Sequence, residues 1–184
     1  MRIAVSGTHF SGKSTLVEEL SAALPEYSTV EEPYYLLEEE GHEFANPPSV
    51  EDFELQLERS LTSLKAGEPD VIFDRCPADF LGYLRAHPDA ETFDLEAWLP
   101  RVRSAIETLD LIVFVPIEGR DRISLPRSQD PHFRTQVDEA LNELLLENSL
   151  GFDVEVLEVT GAPRERLRQV LAHLLGSKRA GTLR

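Results

Sequence analysis

The sequence predicts an α/β fold, a parallel β-sheet with helices on both faces. Two observations carry that expectation. Short apolar runs alternate with longer amphipathic stretches along the chain, an order that builds strand–helix–strand units with parallel strands. The first apolar run also leads into a glycine-framed loop and then a helical pattern, the arrangement by which open α/β sheets hold phosphate.

Taken in order, Arg2–Ser6 is a strand pattern, and Ser14–Leu24 is the helical stretch beyond the loop. Tyr27–Val30 forms a second strand candidate that ends on Glu31, Glu32 and Pro33. Val71–Phe73 is a buried-strand run ending on Asp74 and Arg75, and Leu111–Val115 is the most apolar run in the chain. Val154–Val159 alternates apolar with acidic residues, the period of a half-exposed strand. Helical patterns cover Val50–Ala66, Ala78–Ala86, Leu95–Leu109, Pro131–Asn148 and Arg164–Leu175. No repeat, low-complexity tract or linker divides these elements. One domain is therefore expected over residues 1–176, with a lid at about 118–134 and a flexible basic tail over 177–184.

Composition narrows the function. The chain has 184 residues, 41% hydrophobic and 28% charged, which suits one globular domain with a sizeable core. Its 34 Asp and Glu against 18 Lys and Arg leave a net charge of −16, which argues against nucleic acid and acidic membrane surfaces as partners. No apolar run approaches the length that spans a bilayer. MRIAVSGTHF lacks the apolar core of a secretory signal, so a cytoplasmic setting is expected. The single cysteine, Cys76, fits a reducing compartment, and the five histidines show no zinc-ligand spacing with it. A monomer or homodimer is expected.

The sharpest signal is Gly7-Thr8-His9-Phe10-Ser11-Gly12-Lys13-Ser14, which matches G-x-x-x-x-G-K-[ST] at every fixed position. Gly7 and Gly12 let the backbone curl so that successive N–H groups face phosphate oxygens. Lys13 supplies a point charge to the outer phosphates, and the Ser14 hydroxyl is a ligand for Mg²⁺. The pattern predicts a nucleoside-triphosphate site, ATP with Mg²⁺, formed by Gly7, Thr8, His9, Ser11, Gly12, Lys13, Ser14 and Thr15.

Three further groups fit around that loop. Asp74 closes an apolar strand at the carboxyl edge of the sheet, where ligands of these folds bind, and can hold Mg²⁺ or accept a proton. Arg75 follows and can brace the transferred group; a strand-capping Asp beside a solvated Arg is the other reading of the pair. Glu31 lies beyond the second strand as a candidate general base, within a stretch from Glu26 to Glu58 that holds 11 acidic residues and no Lys or Arg. Most of those acids read as a solvated face. Arg120, Arg122, Arg127 and Arg134 cluster after the fourth strand, and Arg122 and Arg127 are the expected lid arginines over the phosphates, with pairing to Glu118, Asp121 or Asp130 as the plainer role. Cys76 has no His partner in the sequence, and Phe53, Phe80, Phe93 and Trp98 read as core or pocket wall.

Together these residues resemble the NadR-type, nicotinamide-riboside-kinase-like ATP-binding domains of the P-loop kinases. The resemblance runs from Arg2 to about Leu175. It rests on Gly7–Ser14, on Glu31 with Leu37-Glu38-Glu39-Glu40-Gly41, and on Phe73-Asp74-Arg75 with Asp79 and Tyr83. Asp110–Val115, Asp130-Pro131-His132-Phe133-Arg134, and Val159-Thr160-Gly161 with Arg166 extend it. It implies a three-layer α/β P-loop fold with a five-stranded parallel sheet, phosphates and Mg²⁺ at Lys13 and Ser14, Asp74 and Arg75 on the site floor, and Arg127 on the lid. One departure stands out. Where that family often shows Glu-x-x-Arg after the second strand, this chain has Glu31-Glu32-Pro33-Tyr34. Glu32-Pro33 is also similar to deoxynucleoside kinases, in which a Glu-Pro pair at this location holds the catalytic base. Which of Glu31, Glu32 and Asp74 is the base stays open at this level.

The leading expectation is a kinase that transfers the γ-phosphoryl group of ATP to a hydroxyl of a small neutral or cationic acceptor. No arginine lies between Arg2 and Arg59 to receive a monophosphate. The alternatives are a nucleotide-binding switch or ATPase acting on a protein partner, and an NTPase coupled to an assembly. The guanine-reading N-K-x-D box is absent.

Overall fold

The computed structural model describes residues 1–118, 125–126 and 130–181, with side chains described as far as 176. Five strands, β1 (Arg2–Ser6), β2 (Ser28–Val30), β3 (Val71–Asp74), β4 (Leu111–Phe114) and β5 (Glu155–Glu158), form one sheet in the order β2-β3-β1-β4-β5. Every pairing is parallel. The helices are α1 (Lys13–Ala23), α2 (Pro33–Glu39), α3 (Val50–Lys65), α4 (Pro77–Ala86), α5 (Leu95–Ile106), α6 (Pro131–Leu145) and α7 (Pro163–Gly181). This is the α/β three-layer fold that the alternation of elements predicts.

Side-chain alternation sorts the sheet residues between two cores. Register places Ile3 beside Ile72 and Leu111, and these residues, with Val5 and Val113, face a layer containing Leu16 and Leu20 of α1 and Val170 and Leu174 of α7. Ala4, Phe73, Ile112 and Phe114 face the opposite layer of α3, α4, α5 and α6. The three inner strands are buried throughout apart from Arg2, and each of their Val, Ile, Leu and Phe side chains contributes about 1.5–3 kcal/mol on burial. β5 lies at the sheet edge with Glu155 and Glu158 exposed, which accounts for its alternating sequence.

Local chemistry sets several helix ends. Ser49 and Asp52 form a reciprocal capping box at the start of α3, and Pro33 and Pro77 occupy first-turn positions where a missing N–H costs nothing. On α4, Gly82 lets the helix approach α6 closely, since a Cβ there would sit 2.9 Å from a Leu141 methyl carbon.

Three expectations shift. α2 arises where no helix is expected, in a seven-residue stretch too short to show a helical period. The helix on Pro131 ends at Leu145, three residues before Asn148. α7 continues through Gly181, into the segment expected as a tail. The lid expectation falls largely on 119–124 and 127–129, which lie outside the described residues. Among the described residues, no helix is long and apolar enough to cross a membrane.

Candidate functional site

The site forms where the sheet order reverses. Chain connections from β1 lead to β2 and β3 on one side, while β4 and β5 lie on the other, leaving a crevice at the carboxyl end of β1. The loop Gly7–Gly12 fills that end and runs into the N-terminus of α1, with Gly12 as its N-cap in a left-handed conformation, φ 92°. Gly7 adopts φ 150°, and a Cβ on it would lie 2.4 Å from the Val115 carbonyl oxygen. Only glycine fits there.

The carbonyl oxygens of the loop are held by cations drawn from four elements. Arg75 Nη1 donates to Gly7 O at 3.0 Å, and Lys13 Nζ donates to Thr8 O at 2.8 Å. Arg134 donates through Nε to His9 O at 3.0 Å and through Nη2 to Phe10 O at 2.9 Å. Arg166 Nη1 donates to Ser11 O at 2.6 Å. With five consecutive carbonyls engaged in this way, the loop is clamped in one curl. Arg134 and Arg166 sit on α6 and α7, far away in the chain, and both are buried.

Asp74 and Arg75 diverge because β3 ends at Asp74 and the chain leaves it through a left-handed Arg75. Asp74 pairs in register with Val5, whose side chain lies on the α1 side, and its carboxylate accepts from Ser14 Oγ at 3.1 Å. Its Oδ1 is buried with no hydrogen-bond partner. Burial, reinforced by Glu32 and opposed by Lys13 and Arg75, raises the Asp74 carboxyl above its ordinary value. Arg75, in a left-handed conformation at φ 78°, turns to the other side. There its Nε donates to Glu32 Oε1 at 2.5 Å, Nη1 contacts Asp79 Oδ1 at 3.4 Å, and Nη2 reaches the Tyr83 hydroxyl at 3.4 Å. Asp79 in turn accepts from Gly7 N at 2.9 Å and from Cys76 N at 2.9 Å.

The carboxylate at the site is therefore Glu32, one residue beyond the expected Glu31. Glu31 is exposed, whereas Glu32 is the N-cap residue of α2 and turns inward onto Arg75. Burial alone would raise the Glu32 carboxyl, but Arg75 and Lys13 outweigh it and hold the pKa below the ordinary glutamate value. The Arg75 side chain is 5% exposed and its guanidinium is engaged with Glu32, Gly7 and Asp79. Lys13 is buried, and that burial together with Arg75 pushes its pKa down to about 8. His9 contacts Tyr83 through its backbone N at 2.9 Å and Nδ1 at 3.1 Å. Burial pushes the Cys76 thiol well up, leaving it un-ionised at neutral pH.

Beside the loop lies a cleft of about 240 Å³ whose lining includes Phe10, Gly12, Thr15, Ile117, Gly161 and Arg166. Glu118 Oε1 accepts from Gly161 N at 2.7 Å and Arg166 Nη2 at 2.9 Å, tying the loop after β5 to the end of β4. Thr8, Ser11, Gly12, Ser14 and Thr15 all belong to the loop and the first turn that it feeds. Arg122 and Arg127, the expected lid arginines, lie outside the described residues. Sequence reasoning assigned no loop-clamping role to Arg134, Arg166 or Asp79, because such roles depend on contacts between remote segments. Glu32 did carry a signal in the Pro33 that follows it, which starts α2 and makes Glu32 its cap.

Comparison with known proteins gives the same picture. The M. mycoides deoxyadenosine kinase with products dCMP and dCDP bound has a TM-score of 0.67 at 16% identity, over 96% of this chain and 100% of that chain. The Candida albicans thymidylate kinase gives 0.63 at 16% identity, over 96% and 91%. The NadR protein in complex with NR gives 0.60 at 20% identity, over 93% of this chain and 50% of that chain. At these identities the likeness establishes the shared fold. No curated protein shows a significant sequence match. A family model described as an AAA domain matches residues 2–166, nearly the whole chain, and the chain belongs to that AAA domain family.

Proposed function

We propose that this chain is an ATP-dependent kinase that transfers the γ-phosphoryl group to a hydroxyl of a small, neutral or cationic, nucleoside-like acceptor. The observation that carries this reading is Glu32, a carboxylate held ionised on Arg75 at the edge of the phosphate loop. A switch or assembly NTPase has no need of an ordered base on the side of the loop away from Asp74. Glu32 takes the proton of the acceptor hydroxyl, and Arg75 orients the carboxylate that receives it. Lys13 exchanges Thr8 O for an oxygen of the outer phosphates, and the loop N–H groups bind the rest of the triphosphate.

The donor set beside the loop suits Mg²⁺: a serine hydroxyl and a carboxylate with one buried oxygen unpartnered are hard oxygen ligands. When bound, the ion neutralises charge on the phosphates. Ser14 and Asp74 would hold it.

The acceptor class follows from charge. Among the described residues, the arginine on Glu32 is Arg75, and its guanidinium is already engaged with Glu32, Gly7 O and Asp79. Nucleoside-like ligands occupy this fold in its neighbours, dCMP and dCDP in the deoxyadenosine kinase and NR in NadR. A NadR-type acceptor and a deoxynucleoside both remain within the proposed class, and a reducing cytoplasm is its proposed setting. The test is ADP release from Mg·ATP against nucleosides, nicotinamide riboside, sugars and aminoglycosides. Stimulation by one compound, with a product heavier by one phosphate, supports the kinase. A flat panel with tight ATP binding favours the nucleotide switch.

A further inference from the structure

Phe10 sits in the phosphate loop at a position where the fold has little use for an aromatic ring. Its backbone is left-handed at φ 54°, a conformation that glycine or asparagine adopts with less strain than a bulky residue. The residue is 38% exposed, and its aromatic contact among the described residues is edge-on with His9, ring centres 5.8 Å apart. The curl of the loop does not depend on that ring, because Arg134 Nη2 holds Phe10 by its carbonyl oxygen at 2.9 Å. A strained, exposed aromatic residue in a binding loop points to a ligand that covers it.

Sheet order says which part of a ligand that is. Glu32 follows β2, and Asp74 and Arg75 lie at the end of β3, so the proposed base stands on the β2–β3 side of the loop. The cleft of about 240 Å³ opens on the other side. Pro116 and Ile117 follow β4 there, Gly161 and Pro163 follow β5, and Phe10 and Thr15 belong to the wall nearest the loop. Thr15 comes one residue after Ser14 on α1, so the cleft continues from the phosphate end of that helix. A triphosphate with its outermost group toward Glu32 therefore leads its sugar and base into this cleft. Glu118 and Arg166 in the cleft are bonded to each other at 2.9 Å, and Arg166 also holds Ser11 O. Phe10, Pro116, Ile117 and Pro163 give it an apolar lining beside them.

We propose that the nucleoside end of the bound nucleotide packs against the Phe10 ring, and that this contact makes the loop prefer a nucleotide to a bare phosphate chain. The proposal rests on the loop being a triphosphate site whose outer phosphate faces Glu32. Covering the exposed part of the ring removes apolar area from water on both partners and needs no hydrogen bond.

The test uses the full chain with Mg²⁺ and two probes, AMP-PNP and inorganic tripolyphosphate. Proton NMR of the saturated AMP-PNP complex should show NOEs from the Phe10 ring to ribose or base protons, with the ring signals assigned by their loss in Phe10→Leu. In calorimetry, Phe10→Ala weakens AMP-PNP about tenfold and leaves tripolyphosphate within about threefold. Alanine keeps a Cβ at this φ, so the backbone strain is retained and the difference reads the ring. Phe10→Tyr, which restores a ring, recovers most of the loss. Equal AMP-PNP affinity in wild type and Phe10→Ala overturns the proposal, as do equal losses for the two probes or a saturated complex without the NOEs. Failure of the wild type to bind either probe removes the triphosphate site and the proposal with it. A flat acceptor panel beside the expected NOEs and the tenfold loss sinks the kinase reading alone.

Discussion

Glu32→Gln, compared with Glu31→Gln, separates the carboxylate that faces the site from the one that faces solvent. The Glu32–Arg75 pair is largely buried, with side chains 17% and 5% exposed. Removing one partner of such a pair outright costs about 3–5 kcal/mol. Glutamine retains an oxygen for Arg75 Nε, and Arg75 keeps Gly7 O and Asp79, so about 2 kcal/mol is the expected loss. For a domain of this size that lowers Tm by about 4–8 °C. Because the Glu32 pKa is lower in the folded chain, the stabilisation is fully present above the unfolded carboxylate range. It is lost as pH falls through the lower, folded value. The wild type should therefore lose its margin over Glu32→Gln on acidification. In the acceptor-stimulated assay, Glu32→Gln lowers kcat by about 10²–10⁴ while nucleotide affinity holds. Glu31→Gln should match the wild type in both measurements. The reverse pattern, with Glu31→Gln inactive and Glu32→Gln active and equally stable, would refute the assignment.

Asp74→Asn should raise Tm by a few degrees at pH 7, since it removes a buried charge with an unpartnered oxygen, while cutting turnover more than nucleotide affinity. The Asp74 pKa is raised on folding, so the gain appears as pH rises through that raised value and disappears in acid; a pH series of melting curves checks the sign. Lys13→Ala should abolish AMP-PNP binding with the fold retained by circular dichroism. In the wild type, affinity should fall as pH rises above about 8, where the free chain loses the Lys13 charge. Gly82→Ala should cost about 1–3 kcal/mol in urea unfolding by pressing a methyl group onto Leu141, with nucleotide affinity unchanged.

Much of the scaffold was legible because it is written in local patterns. The period-2 and period-3.6 signals, Gly7 and Gly12 at fixed spacing, and Asp74 at the end of an apolar run are properties of neighbouring residues. Boundaries moved where a local signal was weak. α2 is seven residues long, and α6 ends at Leu145, before the last residues that kept its apolar period.

The sequence by itself determined the parallel sheet, the phosphate loop and the strand-end Asp74, since each depends on residues close together in the chain. Only the tertiary structure decided which glutamate turns toward the loop. Glu31 and Glu32 are adjacent and chemically alike, and the turn into α2 at Pro33 sends one to solvent and the other onto Arg75. It also decided that Arg134 and Arg166 hold the loop. Their partners lie 124 to 155 residues away, a relation that is fixed by packing of α6 and α7 and leaves no periodic trace in the chain.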